Sequence, residues 1–281
     1  MVEIKIGLSS LLFVKASLED AIKGIAEVGA DYIEIICDLP HFMSDFDLVE
    51  LKKLKELLDS CRLGVSIHST FWDLNPASHY SEIRKLATTY IKKSIDACDI
   101  LEGKIVVIHP GRCPVTEFAP LIEMGKSWYR ESIKECLRHA KDRDITLTLE
   151  NLNGGIHYPY STAREIKALT QDLDGLGLTF DIGHAYVGEK QANTSAPEQE
   201  IAATIRDVGD CLTHLHIHDN KGAFDEHLPP GEGSIDFKPI LRALKDVRYK
   251  GLWIAEVWSP KDPFETGRRG VNKTRELLTR F

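Results

Sequence analysis

Thr213-His214-Leu215-His216-Ile217-His218-Asp219-Asn220-Lys221 is the stretch that decides how this chain folds. Leu215 and Ile217 are apolar, and His214, His216 and His218 alternate on the opposite face, which is the period of a β-strand. Imidazole at every second position is rare in a buried strand, because each ring needs its own hydrogen-bond partner. The strand breaks into a loop that carries Asp225-Glu226-His227 and then a glycine-flanked glutamate, Gly231-Glu232-Gly233. So dense a run of donors points to metal ligation rather than packing.

To either side, short β-branched runs alternate with amphipathic segments. Strands are expected at Glu3–Ser9, Asp31–Cys37, Leu63–His68 and Lys104–His109, then at Asp144–Glu150, Leu176–Asp181, Cys211–His218 and Gly251–Val257. Helices are expected at Leu18–Val28, Asp47–Cys61, Ser81–Leu101 and Ala119–Lys141, then at Ser161–Gln171, Pro197–Val208, Phe237–Leu244 and Asn272–Phe281. Ser17 caps the first helix and Gly29 stops it. A loop is expected between Asp181 and Pro197. Strands too apolar to be exposed on either face belong in a parallel sheet covered by helices. Eight such units in 281 residues favour a single α/β domain, a (β/α)8 TIM barrel over residues 1–281.

Composition narrows the function. The net charge of −8 gives no general basic footprint for nucleic acid, and 43% hydrophobic with 28% charged residues is ordinary for a soluble domain. No Gly-x-Gly-x-x-Gly follows a strand and no Gly-Lys-Ser/Thr loop occurs, which argues against dinucleotide and P-loop chemistry. Met-Val-Glu-Ile-Lys-Ile-Gly runs straight into a strand pattern, so a cytoplasmic protein without a membrane anchor is expected. The six cysteines contain no CxxC pair and are read as reduced, mostly buried thiols. The basic residues Arg268, Arg269, Lys273 and Arg275 read as a solvated helix face.

In a barrel of this kind the chemistry sits where strands end. His68, His109, Glu150, Asp181, His216 and Glu256 are polar residues at the ends of strands three to eight. His184, Asp225 and His227 follow in the loops. All nine are imidazoles or carboxylates, a donor set suited to Zn2+, Mn2+ or another borderline divalent ion.

Ile108-His109-Pro110-Gly111, Leu149-Glu150-Asn151, Phe180-Asp181-Ile182-Gly183-His184-Ala185, His216-Ile217-His218-Asp219 with Asp225-x-His227, and Ala255-Glu256 together resemble the xylose isomerase-like TIM-barrel superfamily. That superfamily contains sugar isomerases and epimerases, inosose-processing enzymes and endonuclease IV. The resemblance implies that Glu150, Asp181, His216 and Glu256 match the four-ligand divalent-metal site of the sugar epimerases. It also implies that His68, His109, His184, Asp225 and His227 match the further positions of the three-zinc cluster of endonuclease IV.

Two mechanisms follow. In the first, one ion polarises a carbonyl of a sugar, sugar phosphate or polyol, and Glu150 and Glu256 abstract and return the neighbouring proton through an enediolate. His184 holds a substrate oxygen, and Phe71, Trp72 or Trp258 walls the pocket. Glu34 and Asn151 contact hydroxyls, and Lys221 or Arg112 neutralises a phosphate or carboxylate. In the second, up to three Zn2+ ions cleave phosphodiesters at abasic sites in DNA, and Phe71 stacks where a nucleotide has flipped out. The segment His68-Ser69-Thr70-Phe71-Trp72-Asp73-Leu74-Asn75 resembles the corresponding endonuclease loop. Against it, Asp38-Leu39-Pro40-His41-Phe42-Met43-Ser44-Asp45 lacks basic residues for a minor groove, and Leu228-Pro229-Pro230 looks like the sugar-enzyme branch. The isomerase or epimerase reading is therefore preferred, with a small carbohydrate as partner; barrels of this kind often pair as homodimers, and the sequence leaves the assembly open. A barrel that only binds its ligand is the third reading, disfavoured because no member of the ligand set is missing.

Overall fold

Eight parallel strands close on themselves in chain order in the computed structural model, which describes residues 5–41, 47–113, 119–153, 157–259 and 261–279. They are β1 (Ile6–Ser9), β2 (Tyr32–Ile36), β3 (Gly64–His68), β4 (Ile105–Ile108), β5 (Thr146–Glu150), β6 (Leu176–Asp181), β7 (Leu212–Ile217) and β8 (Trp253–Ala255). Pairing of Ile6 with Trp253 and Leu8 with Ala255 joins β1 to β8, so no sheet edge is left open. The expected (β/α)8 barrel is the fold.

The helices among the described residues are α1 (Leu18–Glu27), α2 (Leu48–Cys61), α3 (Ser81–Ile100), α4 (Ala119–Lys141), α5 (Ala163–Asp172), α6 (Ile182–Gln191), α7 (Pro197–Val208), α8 (Phe237–Asp246) and α9 (Pro263–Thr279). Their starts are written in local chemistry. Ser17 Oγ accepts the Asp20 N–H ahead of α1, and reciprocal capping boxes, Asp47 with Glu50 and Thr162 with Glu165, open α2 and α5. None of the described helices is long and apolar enough to cross a membrane.

Two elements depart from the sequence reading. The expected loop after β6 is the helix α6, started by Asp181, and Gly183 and Gly188 disguise it. Gly183 is required there: a Cβ at that position would collide with the His218 ring. The last helix begins at Pro263, well before the expected Asn272, because Asp262 accepts the Glu265 N–H while Gly267 and Gly270 read as breakers. Those glycines let α9 lie close on the barrel. A Cβ on either would stand 3.0 Å from Leu8 Cδ2 or Val257 Cγ2, respectively.

The strand alternation divides the molecule into an apolar layer and a polar bore. Leu147, Leu149, Leu178, Phe180, Leu215 and Ile217 are buried in the hydrophobic core with the helices. The intervening Thr148, Glu150, Thr179, Asp181, His214 and His216 are equally buried but meet one another inside the barrel. A polar interior is stable only if its groups pair. The lower part does so through Thr179 Oγ1, which donates to Thr148 Oγ1 at 2.7 Å. The upper part pairs through carboxylates and imidazoles, but leaves Glu34 Oε1, His214 Nδ1 and His216 Nε2 without a hydrogen-bond partner. All six cysteines are free thiols; Cys37, Cys98, Cys113 and Cys136 are buried, and burial pushes the Cys37 thiol up to about 12.

Candidate metal centre

The register of the barrel strands brings the ligands to one level. Asp181 on β6 lies beside His216 on β7, and Glu150 ends β5. His109 and Glu256 stand one residue past β4 and β8, at the rim. His216 Nδ1 is the focus: Glu256 Oε2 lies 3.1 Å away, Glu150 Oε1 3.3 Å and Asp181 Oδ2 3.6 Å. One ligand atom from each of these four residues falls within 4.8 Å of all the others.

Two more groups adjoin it. His68 and His109 both direct Nε2 to Glu150 Oε2, each at 3.2 Å. On the other side, Asp225 Oδ2 lies 2.9 Å from His184 Nε2 and 3.0 Å from His227 Nε2. His184 Nδ1 approaches Glu150 Oε1 at 3.2 Å and so joins this group to the centre. His218 completes the third group, stacking on His227 with centroids 3.9 Å apart. The structure thus brings together all nine residues singled out from the sequence.

His218, His214 and Glu34 take their own places. The Asn220 amide faces His218 Nδ1 at 3.2 Å, and His218 Nε2 lies 3.0 and 3.1 Å from the two Asp181 oxygens, so this ring orients a carboxylate. His214 lies deeper, with Nε2 2.7 Å from Glu34 Oε2. Glu34 is fully buried among His214, His216 and Ser66, beneath the four-residue group.

Electrostatics follow from this crowding. Burial by itself would raise the Glu150 carboxyl, but His216 and hydrogen bonds from His109 and His184 outweigh it and hold the group well below the usual range. Glu256 is lowered in the same way: burial opposes, and His216 prevails. Burial also opposes charge on His227, yet Asp225 lifts it to about 9. His109 goes the other way, because burial dominates and lowers it.

Above the centre, a cavity of about 170 Å³ is lined by Phe71, His109, Arg112, Tyr158, His184 and Asp225, among others. Phe71 packs its ring 4.2 Å from that of His109. Asn75 holds the Arg112 backbone from both sides, accepting its N–H at 2.9 Å and donating to its carbonyl at 2.8 Å. Asn151 does not line this cavity; with His184 it borders a second, wider groove of about 800 Å³. Trp72 and Trp258 are exposed at the rim, outside the cavity wall. Lys221 turns to Glu226, 3.7 Å away, and Glu232 pairs with Arg269 at 2.8 Å, so neither joins the cluster. Residues 42–46 of the loop after β2 lie outside the described residues.

One organiser escaped the sequence reading. Asp219 is fully buried and accepts the N–H groups of Asn220, Gly231 and Ile235 at 2.8, 2.8 and 3.1 Å. It fixes the loop that carries Asp225 and His227. A buried Asp directly after a ligand strand was the available signal.

A family model described as a xylose isomerase-like TIM barrel matches residues 22–279. The chain belongs to that family. An uncharacterised protein of Methanocaldococcus jannaschii is 34% identical, with 100% of this chain and 90% of that protein covered. The fructoselysine 3-epimerase of Shigella flexneri is 25% identical over 98% of each chain. A crystal structure of a D-tagatose 3-epimerase-like protein superposes with a TM-score of 0.82 at 31% identity, covering 99% of both chains.

Proposed function

We propose that this chain is a divalent-cation-dependent epimerase or isomerase of a small carbohydrate. The observation that carries the reading is the convergence of Glu150, Asp181 and Glu256 on His216 Nδ1 inside a closed barrel. The epimerase relatives support the same class of substrate.

The donor set fits a cation. Three carboxylates whose oxygens gather within 4.8 Å repel one another, on the order of 3 kcal/mol per pair at an effective dielectric near 20. A divalent ion among oxygen and imidazole donors offsets that repulsion, and the absence of thiolate suits Mn2+ or Zn2+. Bound there, the ion supplies Lewis acidity toward a carbonyl oxygen. Glu150 and Glu256 then act as the proton-transferring pair. They arise on β5 and β8, so one abstracts the proton beside the carbonyl and the other returns it from another side. His184 lines the cavity and holds a substrate oxygen, Phe71 supplies an apolar wall, and Asn151 contacts a hydroxyl. The free thiols accord with a cytoplasmic setting.

The test is exchange of the substrate's α-proton with solvent deuterium. Wild type should exchange it on a ketohexose panel. Glu150→Gln and Glu256→Gln should each lower exchange by at least about 100-fold while circular dichroism stays unchanged. Full exchange in either variant would refute the two-carboxylate scheme.

A second reading is favoured by one observation, the sharing of Glu150 between the central group and His68 with His109, beside the His184–Asp225–His227 group. Three contiguous groups are the arrangement of a three-zinc phosphodiesterase acting at abasic sites. Metal analysis separates the two: one ion per chain supports the epimerase, and three zinc ions with incision of abasic duplex support the nuclease.

A further inference from the structure

His216 has two ring nitrogens and two sets of neighbours. Nδ1 faces Glu150, Asp181 and Glu256; on the far side, Nε2 stands 2.7 Å from Glu34 Oε1. Glu34 comes from β2 and His216 from β7, so the contact crosses the bore between strands that do not pair.

We propose that Glu34 is a positioning residue that holds the proton of His216 on Nε2 and thereby presents an Nδ1 lone pair to the carboxylate group above. The proposal rests on the cation site inferred for Glu150, Asp181, His216 and Glu256.

The argument starts from the ring. A neutral imidazole has one N–H and one lone pair, and only the lone pair can bind a cation. Three carboxylates beside Nδ1 pull the proton to that nitrogen, which would block ligation. One carboxylate on the Nε2 side opposes them, provided that it cannot turn away. Glu34 meets that condition. Its Oε2 is held by Ser66 Oγ, which donates at 2.9 Å, and by His214 Nε2 at 2.7 Å. The other oxygen, Oε1, faces His216 and has no other partner.

The 2.7 Å contact stands outside hydrogen-bond geometry, and Glu34 Oε1 and His216 Nε2 are otherwise unpartnered in a fully buried place. An unmade bond between buried polar groups is costly, so the pair is retained at a cost that ring alignment removes. Reorientation of the imidazole suffices, because the distance is already that of a short hydrogen bond. Glu34 is fully buried and lines neither site cavity, which separates this role from contact with a sugar hydroxyl. Partners of this kind orient metal-binding histidines, and their loss typically weakens metal binding by about 10- to 100-fold.

The experiment measures Zn2+ affinity by chelator competition for wild type, Glu34→Gln and Ser66→Ala, together with the 15N shifts of the His216 ring. The zinc-loaded wild type should show a protonated Nε2. Glu34→Gln should keep its far-ultraviolet circular dichroism and lose about 10- to 100-fold in affinity. Ser66→Ala, which leaves Oε1 in place, should lose less than about threefold. Unchanged affinity in a folded Glu34→Gln protein, or an unprotonated Nε2 in the zinc-loaded wild type, would overturn the proposal. The wild-type ring measurement decides the matter even if the variant fails to fold. A wild type that binds no divalent ion would instead overturn the cation reading itself.

Discussion

Asp181 Oδ1 accepts the backbone N–H of His184 at 2.6 Å, so a ligand of the candidate centre is also the residue that starts α6. Its Oδ2 faces His216 Nδ1 at 3.6 Å. Fold and site share one side chain, and two substitutions pull the roles apart. Asn caps helices as well as Asp does, whereas Ala loses about 1 kcal/mol at such a position. Asp181→Asn should therefore keep most of the cation-free stability while losing cation affinity. Asp181→Ala should lose both. Urea unfolding in EDTA, paired with Zn2+ titration, reads the two effects separately; equal stability loss in both variants would remove the capping role.

Glu150 divides its oxygens between groups. Oε1 lies near His216 and His184, and Oε2 near His68 and His109. The Glu256 carboxylate lies 3.1 Å from His216 and belongs to the central group but not to the His68–His109–Glu150 group. If ions occupy both groups, Glu150→Gln should weaken both and Glu256→Gln only the central one. Metal analysis after dialysis against limiting chelator gives the stoichiometry, and identical losses in the two variants would contradict the shared-ligand arrangement.

How much of this was readable beforehand depended on whether the cause was local. Each strand's periodicity and the ligand that ends it, His68 on β3, Glu150 on β5 and Asp181 on β6, fall within one stretch of a few residues, and the barrel followed from the repetition of such stretches. α6 was hidden because its start depends on the Asp181 side chain and its Gly183 answers to His218, a residue just past β7. Glu34 was ambiguous for the same reason. Its partners Ser66, His214 and His216 come from β3 and β7, and only the closed barrel brings them to it. Trp72 and Trp258 looked like pocket walls by residue type, but strand ends do not determine where a loop side chain turns.

The pH dependence of the cation-free protein should carry the mark of Asp225 and His227. Burial opposes charge on His227, and Asp225 prevails and raises it to about 9, above an unfolded value near 6.5. A raised folded value means that the stabilisation is complete below about pH 6.5 and is lost as pH rises through about 9. Asp225 is shifted the opposite way: burial opposes, but His184 and His227 hold it well below the usual range, so its contribution is present above about pH 4 and fades in acid. Thermal unfolding in EDTA should show Tm highest between about pH 4 and 6.5 and declining toward pH 9. His227→Gln should flatten the alkaline decline; an unchanged decline in that variant would place its origin elsewhere.

Asp219 touches no candidate ligand directly, yet it should control the third group. Its carboxylate is fully buried and accepts three backbone N–H groups of the loop between β7 and α8. A buried donor left without its acceptor costs about 1–3 kcal/mol, so Asp219→Ala should destabilise by roughly 3 kcal/mol or more. Asn in its place keeps one accepting oxygen and should lose less. Hydrogen exchange should speed up at Gly231 and Ile235 in Asp219→Ala while the amides of β5 and β6 stay protected, because those strands draw their bonds from the barrel. Any ion bound by Asp225 and His227 should leave first in this variant, with the central group still loaded. Uniformly faster exchange across the barrel would mean that Asp219 supports the whole fold rather than this loop.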